Sequence, residues 1–411
     1  MIGEDSTVRG SIGKTDCWLS YKFMLILLEM TIWNLNLRHL RAMASISRLG
    51  SISAAANAIH LTQPAITQGL AKLEAALGQP LFDRRADGMT ATQAANLLTP
   101  RVERALTHIA SPRVTIKQMR ALIMLADSGS YAGASAATGL AQPSLHRAIG
   151  DMSLALKRSL VERRGKGIML TEQGKRTVRN FRLARAELEA GVTELASLQG
   201  DQAGRITIGA MPLSRARILP SAVTAFHRAY PDVQIAIVEG SFQELIEPLR
   251  DGELDLMIGA LRDPPPGEDV AQQPLFADRP VVLGRAAHPL SQTATSIADL
   301  ARFPWTVPAP GTPLRIQWER MFTDAGLSPP YVAIECGSVI TIRQILIGSD
   351  FLTLLSPDQV AVELEAGWLT KIADTPKDLT RTIGITTRHG WRPTAMQNAF
   401  VASVTDAAFQ T

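Results

Sequence analysis

A chain of 411 residues exceeds what one hydrophobic core usually organises, so two or three domains are expected. With 46% hydrophobic and 19% charged residues and only Cys17 and Cys336, the composition excludes a disulfide framework. It supplies no Cys/His cluster with metal spacing and no cofactor motif, and fits a soluble, cytoplasmic protein. The net charge of +4 conceals an asymmetry: residues 37–200 hold 22 Lys and Arg against 11 Asp and Glu, residues 201–411 hold 17 against 23. A nucleic-acid module fused to a module of another kind has that distribution.

Residues 18–33, WLSYKFMLILLEMTIW, are apolar but contain Lys22 and Glu29 and are too few to cross a bilayer. No small-residue cleavage site follows, so neither a membrane span nor a secretory signal is expected. Residues 1–36 match no recognisable pattern, and Met24 and Met30 are candidate alternative starts.

From residue 37 the pattern becomes regular. Leu37, Leu40, Met43, Ala44 and Ile46 have helical spacing, and Gly50 ends that helix. A short alanine-rich helix follows, opened by Ser51 or Ser53. In LTQPAITQGLAKLEAALG, Thr62 is the expected N-cap and Pro64 sits in the first turn, where its missing N–H costs nothing. Ile66, Leu70, Leu73 and Leu77 form the buried stripe, and Gly78 closes the helix. PLFDRRADGMTAT then reads as a basic hairpin turning at Asp87-Gly88, with Leu81 and Phe82 facing the core.

Three short helices and a hairpin make a winged helix-turn-helix, whose recognition helix reads the major groove with its N-terminal residues. Gln63, Thr67 and Gln68 are the candidate base readers: glutamine can bond adenine bidentately, and threonine can bond a base or touch a thymine methyl. Lys72, Arg84 and Arg85 suit phosphates.

The whole unit recurs at an offset of 79, with 16 identities between residues 37–92 and 116–171 and no gap. Gln142-Pro143 stands for Gln63-Pro64 and Arg163-Arg164 for Arg84-Arg85, but Thr62 becomes Ala141, Leu73-Glu74 becomes Met152-Ser153 and Gly78 becomes Lys157. Loss of the cap alone costs about 1 kcal/mol. Gln142, Ser144, His146, Arg147, Arg163 and Arg164 remain as candidate DNA contacts, most of all to phosphate; the other reading of this copy is a degenerate spacer.

Residues 172–199 form a proline-free helix in which Phe181, Leu188 and Leu195 recur every seven residues with Ala184 and Leu198 between them, a short coiled-coil seam. Two pairings are open. The equivalent helix of the first copy, residues 93–110, can pair antiparallel with it in the same chain, or residues 172–198 can join two chains as a homo-oligomer.

The remainder alternates strand and helix: GRITIGAM, ILPSAVTAFHRAYPDV, QIAIVEG, SFQELIEPLRDGEL and DLMIGAL give β-α-β-α-β, and similar alternation follows PVVLGRAAHPL. Two α/β lobes with a cleft between them are expected, LRDPPPGEDV being a stiff loop between the lobes. Ligands in such sheets lie at the carboxyl ends of strands. The candidates there are Met211, Pro212, Leu213 and Ser214, then Ser241, Ala260, Gly311, Thr312 and Ser338, with Arg215, Arg217 and Arg343 available to an acidic ligand. No Ser/His/Asp set, paired carboxylate or phosphate loop points to an enzyme.

LTQPAITQGLAKLEAALGQPLFDR resembles the DNA-binding signature of LysR-type transcriptional regulators, and RITIGA, YPDVQIAIVEG and GELDLMIG are similar, in order, to the family's effector domain. The hairpin departs from it, Ala91-Thr92 keeping only the threonine of the usual Leu-Thr. The resemblance implies winged helix-turn-helix domains at 37–110 and 113–171, a linker and dimerisation helix at 172–199, and a two-lobed, periplasmic-binding-protein-like domain at 203–411. It implies a transcription regulator binding double-stranded DNA and a small-molecule effector, organic acid or sugar, as a homo-oligomer away from membranes. The alternative is a solute-binding or enzymatic α/β protein whose N-terminal half serves assembly.

Overall fold

The computed structural model describes residues 32–85, 88–164, 167–200 and 204–409. All but the end of the apolar segment 18–33 lies outside them, as do Met24, Met30 and Asp87. The chain divides into two compact units at Gly204/Arg205. Among the described residues no helix is long and apolar enough to cross a membrane.

The first unit opens with α1 (Leu37–Leu49), α2 (Ile52–Ala58), α3 (Gln63–Leu77) and the antiparallel hairpin of β1 (Phe82–Arg85) and β2 (Gly88–Ala91). The helix signals act as read: Ser51 and Thr62 accept from Ala54 N and Ala65 N, and Gly50 and Gly78 end α1 and α3 in the left-handed region. Gly50 has a second duty. Its carbonyl accepts from Met89 N at 2.9 Å, and a Cβ on Gly88 would lie 2.6 Å from that oxygen, so only glycine lets the hairpin approach the helix end. Helix α4 (Gln93–Ile109) follows, capped by Thr92, whose hydroxyl also donates to the carbonyls of Pro80 and Leu81. That double bond fixes where the hairpin ends and the helix begins.

The second copy repeats each part: α5 (Ile116–Ser128), α6 (Tyr131–Thr138), α7 (Gln142–Leu156), β3 (Val161–Arg164), β4 (Gly167–Leu170) and α8 (Glu172–Leu198). Thr171 reproduces Thr92, accepting from Gly174 N and donating to Ser159 O. Where the sequence departs, the structure carries the cost. Ala141 gives α7 no side-chain cap, and Lys157 ends it at φ 54°, a left-handed position that Gly78 occupies in the first copy without steric penalty. Glu74, whose carboxylate accepts from Leu81 N and Phe82 N ahead of the first hairpin, is replaced by Ser153, which bonds Ile149 O within its own helix.

Helices α4 and α8 pair antiparallel within the chain. Leu98, Val102, Ala105 and Ile109 of α4 are buried, as are Phe181, Ala184, Leu188 and Leu195 of α8. Leu198, assigned to this seam from its spacing, is exposed because the pairing has ended one turn earlier. Gly191 permits close approach: a Cβ there would lie 2.8 Å from Leu98 Cδ1. Arg101, nearly fully buried, donates to Glu194 Oε1 at 2.5 Å and to Glu187 Oε2 at 3.1 Å, and Arg104 meets Glu187 Oε1 at 2.8 Å. Burial alone would lower the Arg101 pKa, but the hydrogen bonds and charges of Glu194 and Glu187 outweigh it and raise the value. One continuous apolar core runs through both copies and both long helices.

The second unit has two lobes. In the first, β5 (Gly204–Ala210), β6 (Val233–Glu239), β7 (Leu256–Ala260), β8 (Val270–Asp278) and β14 (Arg381–Arg388) form a sheet ordered β6-β5-β7-β14-β8, with β5 and β7 parallel and β14 antiparallel to both neighbours. Helices α9 (Ile218–Ala229), α10 (Phe242–Arg250) and α15 (Ala395–Phe409) belong to this lobe. In the second lobe β9 (Val281–Arg285) lies between β12 (Thr353–Leu355) and β13 (Leu369–Asp374). There β10 (Trp305–Val307) pairs parallel with β11 (Val332–Glu335) and bridges to Leu352. Helices α11 (Ile297–Leu300), α12 (Pro313–Thr323), α13 (Val339–Ile347) and α14 (Ala361–Glu365) complete its core around Trp305, Trp318 and Phe322.

The stretch LRDPPPGEDV does not join the lobes. It links β7 to β8, two strands of one sheet between which β14 inserts late in the chain, a placement that the prolines do not encode. The crossings lie at 279–280 and 375–380, where Arg279 donates to Thr375 O, Thr375 Oγ1 to Pro280 O at 2.7 Å, and Arg381 pairs with Asp278 at 2.5 Å.

Restoring the two lost termini tests this account of the second copy. Ala141→Thr returns the cap and Lys157→Gly relieves the left-handed residue, and together they should stabilise the first unit by about 2 kcal/mol. A denaturant midpoint that does not rise in the double variant refutes it.

Candidate nucleic-acid interface and effector cleft

The α3 face is built from its start. Thr62 turns the chain into the helix, Gln63 and Pro64 form its exposed first turn, and Ile66 points inward, which leaves Gln68 and Lys72 exposed and Thr67 half-buried between them. Gln63 Nε2 donates to Ser53 Oγ at 3.2 Å, so α2 steadies the first candidate reader. Arg84 and Arg85 lie exposed along β1. The carboxylate of Glu74 fixes the entry to this hairpin; the Leu-Glu pair signalled it in the sequence, but the spacing gave no hint of its role.

Beneath α3 lies His39. Gly69 lets the helix pass over its ring, since a Cβ there would lie 2.9 Å from His39 Cδ2. Burial, and then the positive charge of Lys72, hold the His39 pKa below 6.5.

The second copy differs in kind. Gln142, Pro143, Ser144, His146 and Arg147 are all exposed on α7. Yet His146, at the position of Thr67, stacks on Tyr131 with ring centroids 3.6 Å apart, so its face is turned to its own domain. Arg163 is exposed on β3, and Arg164 ends that strand opposite Gly167.

In the second unit the candidates fall into two groups, one on each lobe. Met211 to Ser214 follow β5, Ser241 follows β6 as the N-cap of α10, and Ala260 ends β7. Gly311 and Thr312 precede α12 after β10, and Ser338 precedes α13 after β11. Ser214 is turned inward, its hydroxyl donating to Met211 O at 2.8 Å in a buried loop. Ser241 is exposed; it accepts from Glu244 N, and its backbone N–H donates to the Glu244 carboxylate at 2.7 Å. Thr312 and Ser338 accept from Arg315 N and Thr341 N. The three arginines already hold carboxylates: Arg215 pairs with Glu239 at 2.9 Å, Arg217 with Asp358 at 3.4 Å and Arg343 with Glu363. Arg215 also donates to Ala210 O and Gly240 O, bracing the ends of β5 and β6, while Arg217–Asp358 runs from one lobe to the other.

Comparison with known proteins places these parts. The profile of the bacterial regulatory helix-turn-helix protein, lysR family, matches twice, over residues 37–96 and 116–175, and that of the LysR substrate binding domain matches residues 199–408. The HTH-type transcriptional regulator GalR of Pseudomonas putida is 30% identical over 368 residues, covering 86% of this chain and 93% of that one. That match is longer than the stretch from residue 116 to the end, so it extends into the first copy. CbbR of Xanthobacter flavus is 30% identical over 63% of this chain and 78% of its own. Among solved structures, full-length LysG of Corynebacterium glutamicum with bound effector Arg has a TM-score of 0.52 at 19% identity, covering 72% of this chain and 98% of that one. CbnR, a LysR family transcriptional regulator, also has 0.52, at 18% identity over 71% and 98%. Both show likeness of fold alone.

A lowered histidine pKa means that the folded state resists protonation. The His39 contribution is therefore complete above pH 6.5 and is lost as pH falls from there towards its lower folded value. The unfolding midpoint should drop between pH 7 and pH 5.5, and His39→Gln, the residue at the equivalent position 118, should flatten that part of the drop; equal pH slopes in parent and variant would refute the assignment.

Proposed function

This chain belongs to the LysR family of transcriptional regulators, and on that premise we propose how its parts divide the work. It is a sequence-specific DNA-binding regulator controlled by a small-molecule effector, and not an enzyme. Regulators of this family bind DNA and an effector and act as oligomers. The alternative of a solute-binding or enzymatic protein has no support from either matched domain.

In the reading we propose, residues 37–110 and 113–171 are two winged helix-turn-helix domains, 172–199 is the linker helix and 203–411 is a periplasmic-binding-protein-like sensor, in a cytoplasmic homo-oligomer. The first copy reads sequence. Gln63, Thr67 and Gln68 meet base edges from the first turns of α3, with Pro64 shaping the turn, while Lys72, Arg84 and Arg85 hold phosphates. The observation that carries this is the polar, exposed start of α3 beside the exposed arginines of β1, on a domain that matches the family's DNA-binding profile. Gln142, Ser144, His146, Arg147, Arg163 and Arg164 form the second, weaker face.

The effector lies between the lobes, against Met211, Pro212, Leu213, Ser241, Ala260, Gly311, Thr312 and Ser338, while the inward-turned Ser214 shapes the loop from behind. A small organic acid suits this cleft better than a sugar, because helices α12 and α13 begin there and their first N–H groups favour an anion, the start of α10 being already held by its own Glu244 carboxylate. Effector and DNA then alter each other's affinity by one common factor.

Thr67→Ala with Gln68→Ala should abolish sequence preference while leaving salt-dependent binding. Arg84→Ala should weaken binding to every sequence and lower the salt slope by about one, both read by titration against duplexes at several salt concentrations. Unchanged operator choice in the double variant would mean that α3 is not the reader. For the cleft, a thermal-shift screen of organic acids and sugars should find a stabilising acid whose shift is lost in Ser338→Ala and Thr312→Ala; a hit that both variants retain would remove those residues from the site.

A further inference from the structure

The two long helices have an internal symmetry. Leu98 lies against Gly191, Arg101 pairs with Glu187 and Glu194, and Arg104 with Glu187, so the antiparallel register centres near positions 105 and 184. Those positions are one repeat apart: Ala105 and Ala184 are the same residue of the two copies, and both are buried. Moving outward, Val102 and Phe181 are equivalent and buried, as are Ile109 and Leu188. An antiparallel pair of equivalent helices meeting at equivalent residues is related by an approximate two-fold axis, and each helix carries its own three-helix head. The chain thus makes within itself the paired arrangement that otherwise requires two identical chains.

The heads so paired are unequal, and the inequality has a direction. From α3 to α7, Thr67 becomes His146, engaged with Tyr131, Gln68 becomes Arg147, and Lys72 becomes Asp151. Of the three readers only Gln63 persists, as Gln142, with Ser144 in place of Ala65; the Thr67 hydroxyl and the Gln68 amide are lost, and the helix gains no net cation. The hairpin region changes the other way. Residues 78–91 hold two Lys or Arg against two acids, whereas the equivalent residues 157–170 hold five, Lys157, Arg158, Arg163, Arg164 and Lys166, against Glu162 alone. Of these, Lys157, Arg158 and Arg163 are exposed. A surface that loses directional hydrogen-bonding groups and gains charge binds phosphate, which positions a protein without reading sequence.

We infer that one chain carries a complete two-headed DNA clamp, the first head reading bases and the second gripping the phosphate backbone of adjoining duplex, so that its site has one specified and one unspecified half. This rests on the first copy being the base reader. A degenerate spacer would not have replaced a neutral hairpin by one with four net positive charges.

Selection of the full chain on a random 40-bp duplex library should return a block with no mirrored copy one helical turn away, and nuclease protection extending roughly that far beyond it over bases that show no preference. Arg147→Ala, Arg158→Ala and Arg163→Ala together, all exposed and so without effect on the unfolding midpoint, should leave the motif unchanged. They should lower affinity for every duplex by roughly 10- to 100-fold and the salt slope by about two to three. With Cys17 and Cys336 replaced by serine, Glu103→Cys and Ala186→Cys, which adjoin the Arg104–Glu187 contact and leave the buried ion cluster intact, should be joined by a bis-maleimide into a product of single-chain mass. If Thr67→Ala with Gln68→Ala keeps the motif, the base-reading assignment fails and takes this inference with it. If that assignment survives, the inference alone is overturned by a mirrored copy of the block one helical turn away, by a triple variant whose affinity and salt slope match the parent, or by cross-linking at twice the chain mass.

Discussion

Everything in the N-terminal unit depends on Arg101 being held between Glu187 and Glu194. Two amphipathic helices with alanine, valine, leucine and phenylalanine on their inner faces can slide by a turn at small cost, because apolar contact is non-directional. A guanidinium fixed by two carboxylates cannot slide, and it lies in the α4 stripe where spacing alone would put an apolar side chain. A buried ion triad is weak evidence for added stability, since desolvation consumes most of the attraction. What it adds here is register: any other alignment leaves a charge buried and unpaired. Gly191 strengthens the constraint by opening room for Leu98 at one place only. The separation and mutual direction of the two heads follow from that one alignment.

This explains which parts of the duplication have been kept. Gly50 and Gly129, and Thr92 and Thr171, end the first helix and cap the long helix of each head, and they are shared; the buried face of the first helices stays apolar with mostly different residues, Leu40 becoming Met119 and Met43 becoming Leu122. The features lost from the second copy, the Thr62 cap, Gly78 and Glu74, all shape the recognition helix and its path into the hairpin. Each loss is a local penalty of about 1 kcal/mol, tolerable when a common core supports the domain. The inferred grip on backbone is compatible with these losses, because phosphate contacts tolerate small displacements that a bidentate base contact does not.

Much of this was legible in the sequence, for identifiable reasons. Helix ends at Gly50, Thr62 and Gly78 follow from local backbone chemistry, and an offset of 79 without a gap reveals two copies of one unit. The antiparallel pairing of α4 with α8 was readable as one of two options because α4 stops at residue 110. Less legible were features decided by partners far away in the chain. Arg101 was invisible because its carboxylates come from another helix. The inward turn of Ser214, the exposure of Leu198 and the return of LRDPPPGEDV into its own sheet depend on tertiary neighbours that no local pattern encodes.

The same distinction governs the effector cleft. Arginines near the ends of strands invite an acid by composition, yet Arg215, Arg217 and Arg343 each satisfy a carboxylate of the chain, and Arg215 also binds two backbone carbonyls. Displacing Arg215 from Glu239 would exchange one partly solvated ion pair for another and gain little. Less of the electrostatic potential is spent at the starts of α12 and α13, where Thr312 and Ser338 satisfy one N–H each, than at α10, where the Glu244 carboxylate already accepts from Ser241 N. Arg217–Asp358 differs from the other two pairs in joining the lobes. An exposed contact of that length is worth about 1 kcal/mol or less, so it does not by itself hold the lobes in one arrangement.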